Sequence, residues 1–301
     1  MILSFGTLCL DRVYRIPHFP RFGGYIEAID VQLVLGGEAA NTALALRSLG
    51  VPVRLHTNPV GNDEAGRVLT ELAKEQRIEV PNAVDGFVTP ATDVYVTPDG
   101  ERTMIGAGFS AMDSYEMPLP DLAGVSWLSA EPNMPNASKK VVSYAQDQNV
   151  KTYLMDFFKP EQDSIVSRCD VWQSSTDWVG ARGDAEENLR WVEDHSRRYG
   201  CATILTDGPR GLYAASKEFG ARAFPALKAI EVVDTTGAGD VFRAGVLAGL
   251  HEGLPLNRAM LIGAAAAALA STTLGATTDL PSRSDVDKII AKNDAFAAAY
   301  A

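Results

Sequence analysis

The sequence predicts an α/β protein: a mainly parallel central sheet covered by helices on both faces, with a small β lid beside it. Three observations lead there. Short apolar runs alternate with amphipathic segments along most of the 301 residues, the rhythm of strand, helix, strand. Two stretches interrupt it with a period of two. Finally, the joins richest in glycine stand directly before helical patterns.

"MILSFG" opens the chain as a buried strand. "EAANTALALRSLG" reads as a helix ending on Gly50, followed by strand "VPVRLHT". "NDEAGRVLTELAKEQ" is a second helix, capped by Asn62 or Asp63, with Val68, Leu69 and Leu72 on one face. Then come strand "SWLSAE", helix "KKVVSYAQDQ", strands "KTYLMDF" and "DVWQSS", helix "EENLRWVEDHSRRYG" and strand "CATILTD". "LIGAAAAALAS" is too short to span a bilayer and reads as a buried helix.

The interruptions are "IEAIDVQLV", where Ile29, Val31 and Leu33 alternate with Asp30 and Gln32, and "TDVYVTPDGERTMI", which folds back at a Pro-Asp-Gly turn. Both look like strands with one wet face. They divide the chain into a core of residues 1–11, 35–85 and 109–301 and a discontinuous lid of residues 12–34 and 86–108. A lid that closes over a site excludes water. A dimerisation edge is the alternative, and one sheet can serve both purposes.

The net charge of −11 argues against broad nucleic-acid or anionic-membrane binding. Cys9, Cys169 and Cys201 lie far apart without metal or redox spacing, which suits a reducing compartment. The start has no basic segment and only a short apolar run, so a soluble cytoplasmic protein is expected.

In "VVDTTGAGDVFRAGVLAGL" a strand ends at Asp234 and a helix begins near Gly237 or Ala238. Small residues at Gly237, Ala238 and Gly239 let unpaired helix-start amides approach an anion, and Asp240 follows in the first turn. An anion pocket beside a carboxylate suits phosphoryl transfer to a hydroxyl; an ordinary capped helix start is the competing explanation. "LVLGGEAAN" also joins a strand to a helix through Gly36 and Gly37, with Asn41 in the first turns, and "TDGPRGLYA" makes a Gly-x-x-Gly turn. There is no G-x-x-x-x-G-K-[ST], no G-x-G-x-x-G after the first strand, no G-x-S-x-G and no H-E-x-x-H. His18, His56, His195 and His251 are scattered.

Taken together, "GGEAANTALALRSLG" and "DTTGAGDVF" resemble the paired signatures of the ribokinase-like (PfkB) carbohydrate kinases. "GTLCLD", "GNDEAGRVL", "PDGER", "TDGPRG" and "TLGATTDLP" extend the resemblance in order along nearly the whole chain. It implies a three-layer ribokinase-like fold with a β lid, and use of ATP and Mg²⁺ to phosphorylate a hydroxyl of a sugar or nucleoside. By the same resemblance Asp240 is the catalytic base, with Gly237, Ala238 and Gly239 as the anion hole. Asp11, Gly36, Gly37, Asn41 and Glu131 face substrate, and Thr206, Gly208 and Gly211 contact nucleotide phosphates. Asp234 and Thr236 match part of a monovalent-cation site, K⁺ in some members.

Two departures stand out. The family's Asn-x-x-Glu, which supports Mg²⁺, is replaced by Ser175 and Trp178, with Asp177 one residue out of register. Ribose-type members carry a lysine after the glycine pair, where this chain has Glu38. Arg12, Arg15, Arg21 and Arg102 on the lid segments either meet an anionic sugar such as a phosphosugar or form solvated surface. The first departure keeps open a sugar- or nucleotide-binding protein without turnover; a nucleoside kinase is a further alternative.

Overall fold

The computed structural model describes residues 1–180, 183–228 and 231–301. Its strands are β1 Ile2–Gly6, β2 Cys9–Arg15, β3 Asp30–Gly36, β4 Val53–Thr57, β5 Ala91–Val96, β6 Arg102–Ala107, β7 Trp127–Ala130, β8 Lys151–Met155, β9 Val171–Ser175, β10 Ala202–Thr206, β11 Leu212–Ser216 and β12 Gly220–Phe224. The helices are α1 Glu38–Ser48, α2 Glu64–Glu75, α3 Pro135–Asp147, α4 Asp163–Val166, α5 Thr176–Val179, α6 Ala185–Tyr199, α7 Ala238–His251, α8 Leu256–Ala270, α9 Arg283–Ala291 and α10 Asp294–Ala299.

Eight strands form the central sheet in the order β12-β11-β10-β9-β8-β7-β1-β4. The pairs from β10 through β4 are parallel, and only the β10–β11–β12 edge is antiparallel. Successive strand residues feed opposite faces, as the pleat requires. Ile2, Trp127, Tyr153 and Val171 pack with α1, α7 and α8, whereas Leu3, Leu128, Leu154 and Trp172 pack with α3. Both faces are therefore dry, which explains the unbroken apolar strands. The three-layer α/β fold expected of the sequence is present.

The second sheet has four strands, in the order β3-β2-β5-β6. Its inner face carries the buried Val13, Val94 and Val96 against Val34 and Leu274. The outer face is wet: the row Leu33–Arg12–Asp93–Ile105 crosses all four strands in register. Beside it Tyr14 and Tyr95 stack with ring centroids 5.2 Å apart. This is the small lid sheet of the sequence reading, with β2 at its centre; β2 and β3 run past the expected divisions at residues 11/12 and 34/35.

Several boundaries moved for local reasons. The strand in "IEAIDVQLV" begins only at Asp30. The helix expected from Lys139 starts at Pro135, whose fixed φ and missing N–H suit a first turn. Asp63, the second of the two candidate caps, accepts from the Gly66 amide at the start of α2. Among the described residues no helix is long and apolar enough to cross a membrane.

Candidate active site

Parallel sheets bind ligands beyond the carboxyl ends of their strands, where the strand order reverses direction. Here that point lies between β1, which continues to β4 on one side, and β7 on the other. Gly6 ends β1 with φ 148°, and a Cβ there would lie 2.2 Å from Glu131 Cγ. Glu131 follows β7, wholly buried, and its Oε1 accepts from both the amide and the hydroxyl of Thr7. Burial pushes its carboxyl well above the usual range, and the neighbouring Glu38 adds to the rise.

The two glycine-rich loops converge at this edge. Gly37 caps α1 with φ 97°, and a Cβ there would sit 2.3 Å from the Thr7 carbonyl oxygen. A Cβ on Gly36 would lie 2.1 Å from Asp11 Cγ, so the absence of side chains brings the β2 carboxylate hard against the loop. From the other loop, Gly237 caps α7 in the left-handed region (φ 73°), with Ala238 and Gly239 opening the helix. A Cβ on Gly239 would meet nothing within 4 Å, so open space lies on that side of the helix start.

Asp240 is 5 % exposed and stands in the first turn of α7. Its Oδ2 accepts from Asn41 Nδ2 at 2.9 Å, and its Oδ1 pairs with Arg243 Nη2 at 3.1 Å. Arg243, fully buried, also donates to Thr42 Oγ1 at 3.0 Å and to the Glu38 carbonyl at 2.9 Å, fastening α7 to α1. Burial pushes the Asp240 carboxyl up to about 7; Arg243 opposes the rise and Glu38 adds to it. Asp11 is raised to about 6, chiefly by burial, while bonds from Cys9 and Thr92 pull it down. Asp156, after β8, rises to about 7 through burial and then Glu38, against a hydrogen bond from Ser174.

Asp234 is tied up within its own loop. Its Oδ1 accepts from the Thr236 amide at 2.8 Å and the Thr236 hydroxyl at 2.7 Å, and its Oδ2 from the Gly275 amide at 2.8 Å. Arg102 of the lid reaches this loop, with Nη1 2.7 Å from Thr235 Oγ1. Thr206 ends β10 and its hydroxyl bonds the Ser174 carbonyl at 3.3 Å. Gly208 (φ 52°) and Gly211 (φ 103°) bound the turn that follows, which Asp207 braces through Arg210 and Thr176. Space is open at Gly208, whereas a Cβ on Gly211 would strike the Phe224 carbonyl oxygen at 2.1 Å.

The structure thus joins Asn41 to Asp240, sets Asp11 against Gly36, and gathers Glu131 with Thr7. The 206–211 turn stands apart, at the end of β10. Sequence reasoning passed over Thr7, Asp156 and Arg243. Arg243 was visible as the lone charge in an apolar helical run, and Asp156 as the lone acid at the end of an apolar strand.

At the missing Asn-x-x-Glu, Ser175 caps α5 by accepting from the Trp178 amide at 3.2 Å. Trp178 is 56 % exposed and lies edge-on to Phe158. Among the described residues no group of three or more His, Cys, Asp or Glu side chains is placed to hold a metal ion. Mg²⁺ is usually held by one or two carboxylates together with nucleotide phosphates and water, so its support here would fall to acids such as Asp177 with the bound nucleotide.

The sequence matches the profile described as pfkB family carbohydrate kinase over residues 1–283. The chain belongs to the PfkB family of carbohydrate kinases. An uncharacterized sugar kinase of Dictyostelium discoideum is 27 % identical, covering 97 % of this chain and 98 % of that protein. A nucleoside kinase of Methanocaldococcus jannaschii is 26 % identical over 93 % of each chain. The solved structure of Arabidopsis thaliana ribokinase complexed with ribose and ATP superposes with a TM-score of 0.81 at 21 % identity, covering 96 % of this chain and 97 % of that one. As a PfkB family member, this protein is a phosphotransferase on the ribokinase-like fold.

Proposed function

We propose that this chain transfers the γ-phosphoryl group of ATP to a hydroxyl of a sugar or a sugar-like compound, with Asp240 as general base. The observation that carries the reading is the buried Asp240 carboxylate, held by Asn41 and Arg243 beside a helix start with open space above Gly239. That space fits a phosphoryl group, whose charge the helix start and its dipole stabilise. Gly237, Ala238 and Gly239 would hold the terminal phosphate of ATP, and Thr206, Gly208 and Gly211 the phosphates nearer the nucleoside. When bound, ATP supplies the electrophilic phosphorus and ADP as leaving group.

Substrate lies against Asp11, Gly36, Gly37, Asn41 and Glu131, under the lid. Asp240 takes the proton of the attacking hydroxyl as its oxygen bonds to phosphorus. A base pushed up to about 7 is matched to this task near neutral pH. Asp234 and Thr236 are assigned to a monovalent cation such as K⁺, which replacing K⁺ with a bulky organic cation in the assay would reveal as lost turnover. The apolar Val31, Leu33 and Ile105 on the outer lid face support a homodimer formed there, measurable by sedimentation.

Asp240→Asn should lower kcat by roughly 10²- to 10⁴-fold while substrate affinity changes little. Full turnover in that variant would overturn the assignment. The wild type should gain activity as pH rises through about 7, because Asp240 is protonated and idle below it. ADP release across a pH series with sugars and nucleosides checks both.

A further inference from the structure

The acceptor side of the cleft is rich in carboxylates, and the side-chain amides of Asn41 and Asn133 are turned toward them. Asn133 Nδ2 lies 3.1 Å from Glu38 Oε1 and 3.1 Å from Glu131 Oε2, tying two acids from different segments together. The other oxygen of Glu38, Oε2, is buried with no partner. So is Oδ1 of Asn41, a residue only 5 % exposed whose amide nitrogen holds Asp240. These two orphaned oxygens, buried on the first turns of α1, both require a donor. Leaving such atoms unpaired is costly, which marks them as places for ligand N–H or O–H groups.

Among the described residues, Arg243, Arg12 and Arg102 already have partners. Arg243 is committed to Asp240, Thr42 and the Glu38 carbonyl. Arg12 follows Asp11 on β2 and so points to the outer lid face, where it pairs with Asp93 at 2.6 Å. Arg102 is engaged with Thr235. A phosphate or carboxylate near Glu38 would meet Glu131, Asp156 and Asp11, whereas an ammonium brings three donors and no acceptor.

Resting on the kinase reading above, we propose that Glu38, held by Asn133 against Glu131, selects the acceptor substrate: a protonated amine is taken best, a hydroxyl less well, and phosphate or carboxylate is turned away. The substrate class is an amino sugar or an amine-bearing sugar analogue. Glu38 is the specificity-determining residue, and Asn133 positions it.

The test uses triads of amino sugar, parent sugar and sugar phosphate in the glucose, galactose, mannose and ribose series. Binding is measured by calorimetry without nucleotide, and ADP release is measured separately. In the wild type the amine should bind roughly 10- to 100-fold more tightly than its parent, the range expected of a charge-assisted bond, with the phosphate weakest. Glu38→Gln should erase most of that preference, and Glu38→Lys should reverse it toward the phosphate. Should Glu38→Lys fail to fold, the isosteric Glu38→Gln decides. A parent or phosphate outranking the amine in the wild type overturns the inference, as does a preference unmoved by Glu38→Gln, or an amine that binds in no series. Binding in the expected order without ADP release would leave this inference standing and sink the kinase reading. ADP release with an order insensitive to position 38 would do the reverse.

Discussion

The two glycine-rich helix starts look alike as sequence and differ as structure. At the start of α1, side chains on Gly36 and Gly37 would strike the Asp11 carboxylate and the Thr7 carbonyl. At the start of α7, Gly237 is tight against Ala276, yet Gly239 faces open space. The first loop spends its glycines on protein contacts, bringing strands and acids together as one wall of the cleft. The second spends one on packing and leaves another facing open space. Arg243 joins them, so the open loop is positioned by the closed one.

The sharpest way to break this comparison is to add one methyl to each loop. Gly37→Ala should be the more damaging: φ 97° and a contact at 2.3 Å add left-handed strain to overpacking. Together these cost roughly 2–5 kcal/mol. Thermal unfolding should show a much lowered melting temperature, and substrate binding should fall with it. Gly239→Ala should do the opposite to stability, gaining about 0.5–1 kcal/mol from its helical position. Its methyl would occupy the space assigned to the phosphoryl group, and such misplacement costs on the order of 10²-fold in turnover. A Gly239→Ala protein that melts higher and turns over normally would show that the open space is not used.

How far the sequence foretold this depends on burial. The parallel strands were legible because both faces are dry, which leaves continuous apolar runs such as "MILSFG". Strand β2 was not, since only Thr7 and Leu8 separate it from β1 and no turn dipeptide follows Gly6. That passage carries the chain from one sheet to the other and puts Asp11 on the lid strand beside Gly36. The β11–β12 hairpin was unread because its turn, Lys217 to Phe219, lacks the usual two-residue glycine signal. Glycine spacing located both helix starts but gave no sign of which methyl would collide, a matter of neighbours two hundred residues away. The acid pair of Glu38 and Glu131 was equally hidden, because Asn133 brings together segments that no local pattern connects.

The smallest expected effect concerns the lid's hold on the open loop. Arg102 leaves β6 to reach Thr235, one residue past Asp234, and Gly100 at the hairpin tip lies near the Val233 backbone. Arg102→Ala removes an exposed, neutral-acceptor bond, so the loss of stability should stay within about 0.5–1.5 kcal/mol. Its kinetic consequence should be specific. The loop itself remains braced by Asp234 through Thr236 and Gly275, so the chemical step has little reason to change. Closure of the lid over substrate loses a contact, and KM for the sugar should rise several-fold with kcat nearly intact. A fall in kcat with unchanged KM would mean instead that the lid helps shape the open helix start, and the two loops would then be less separable than their glycines imply.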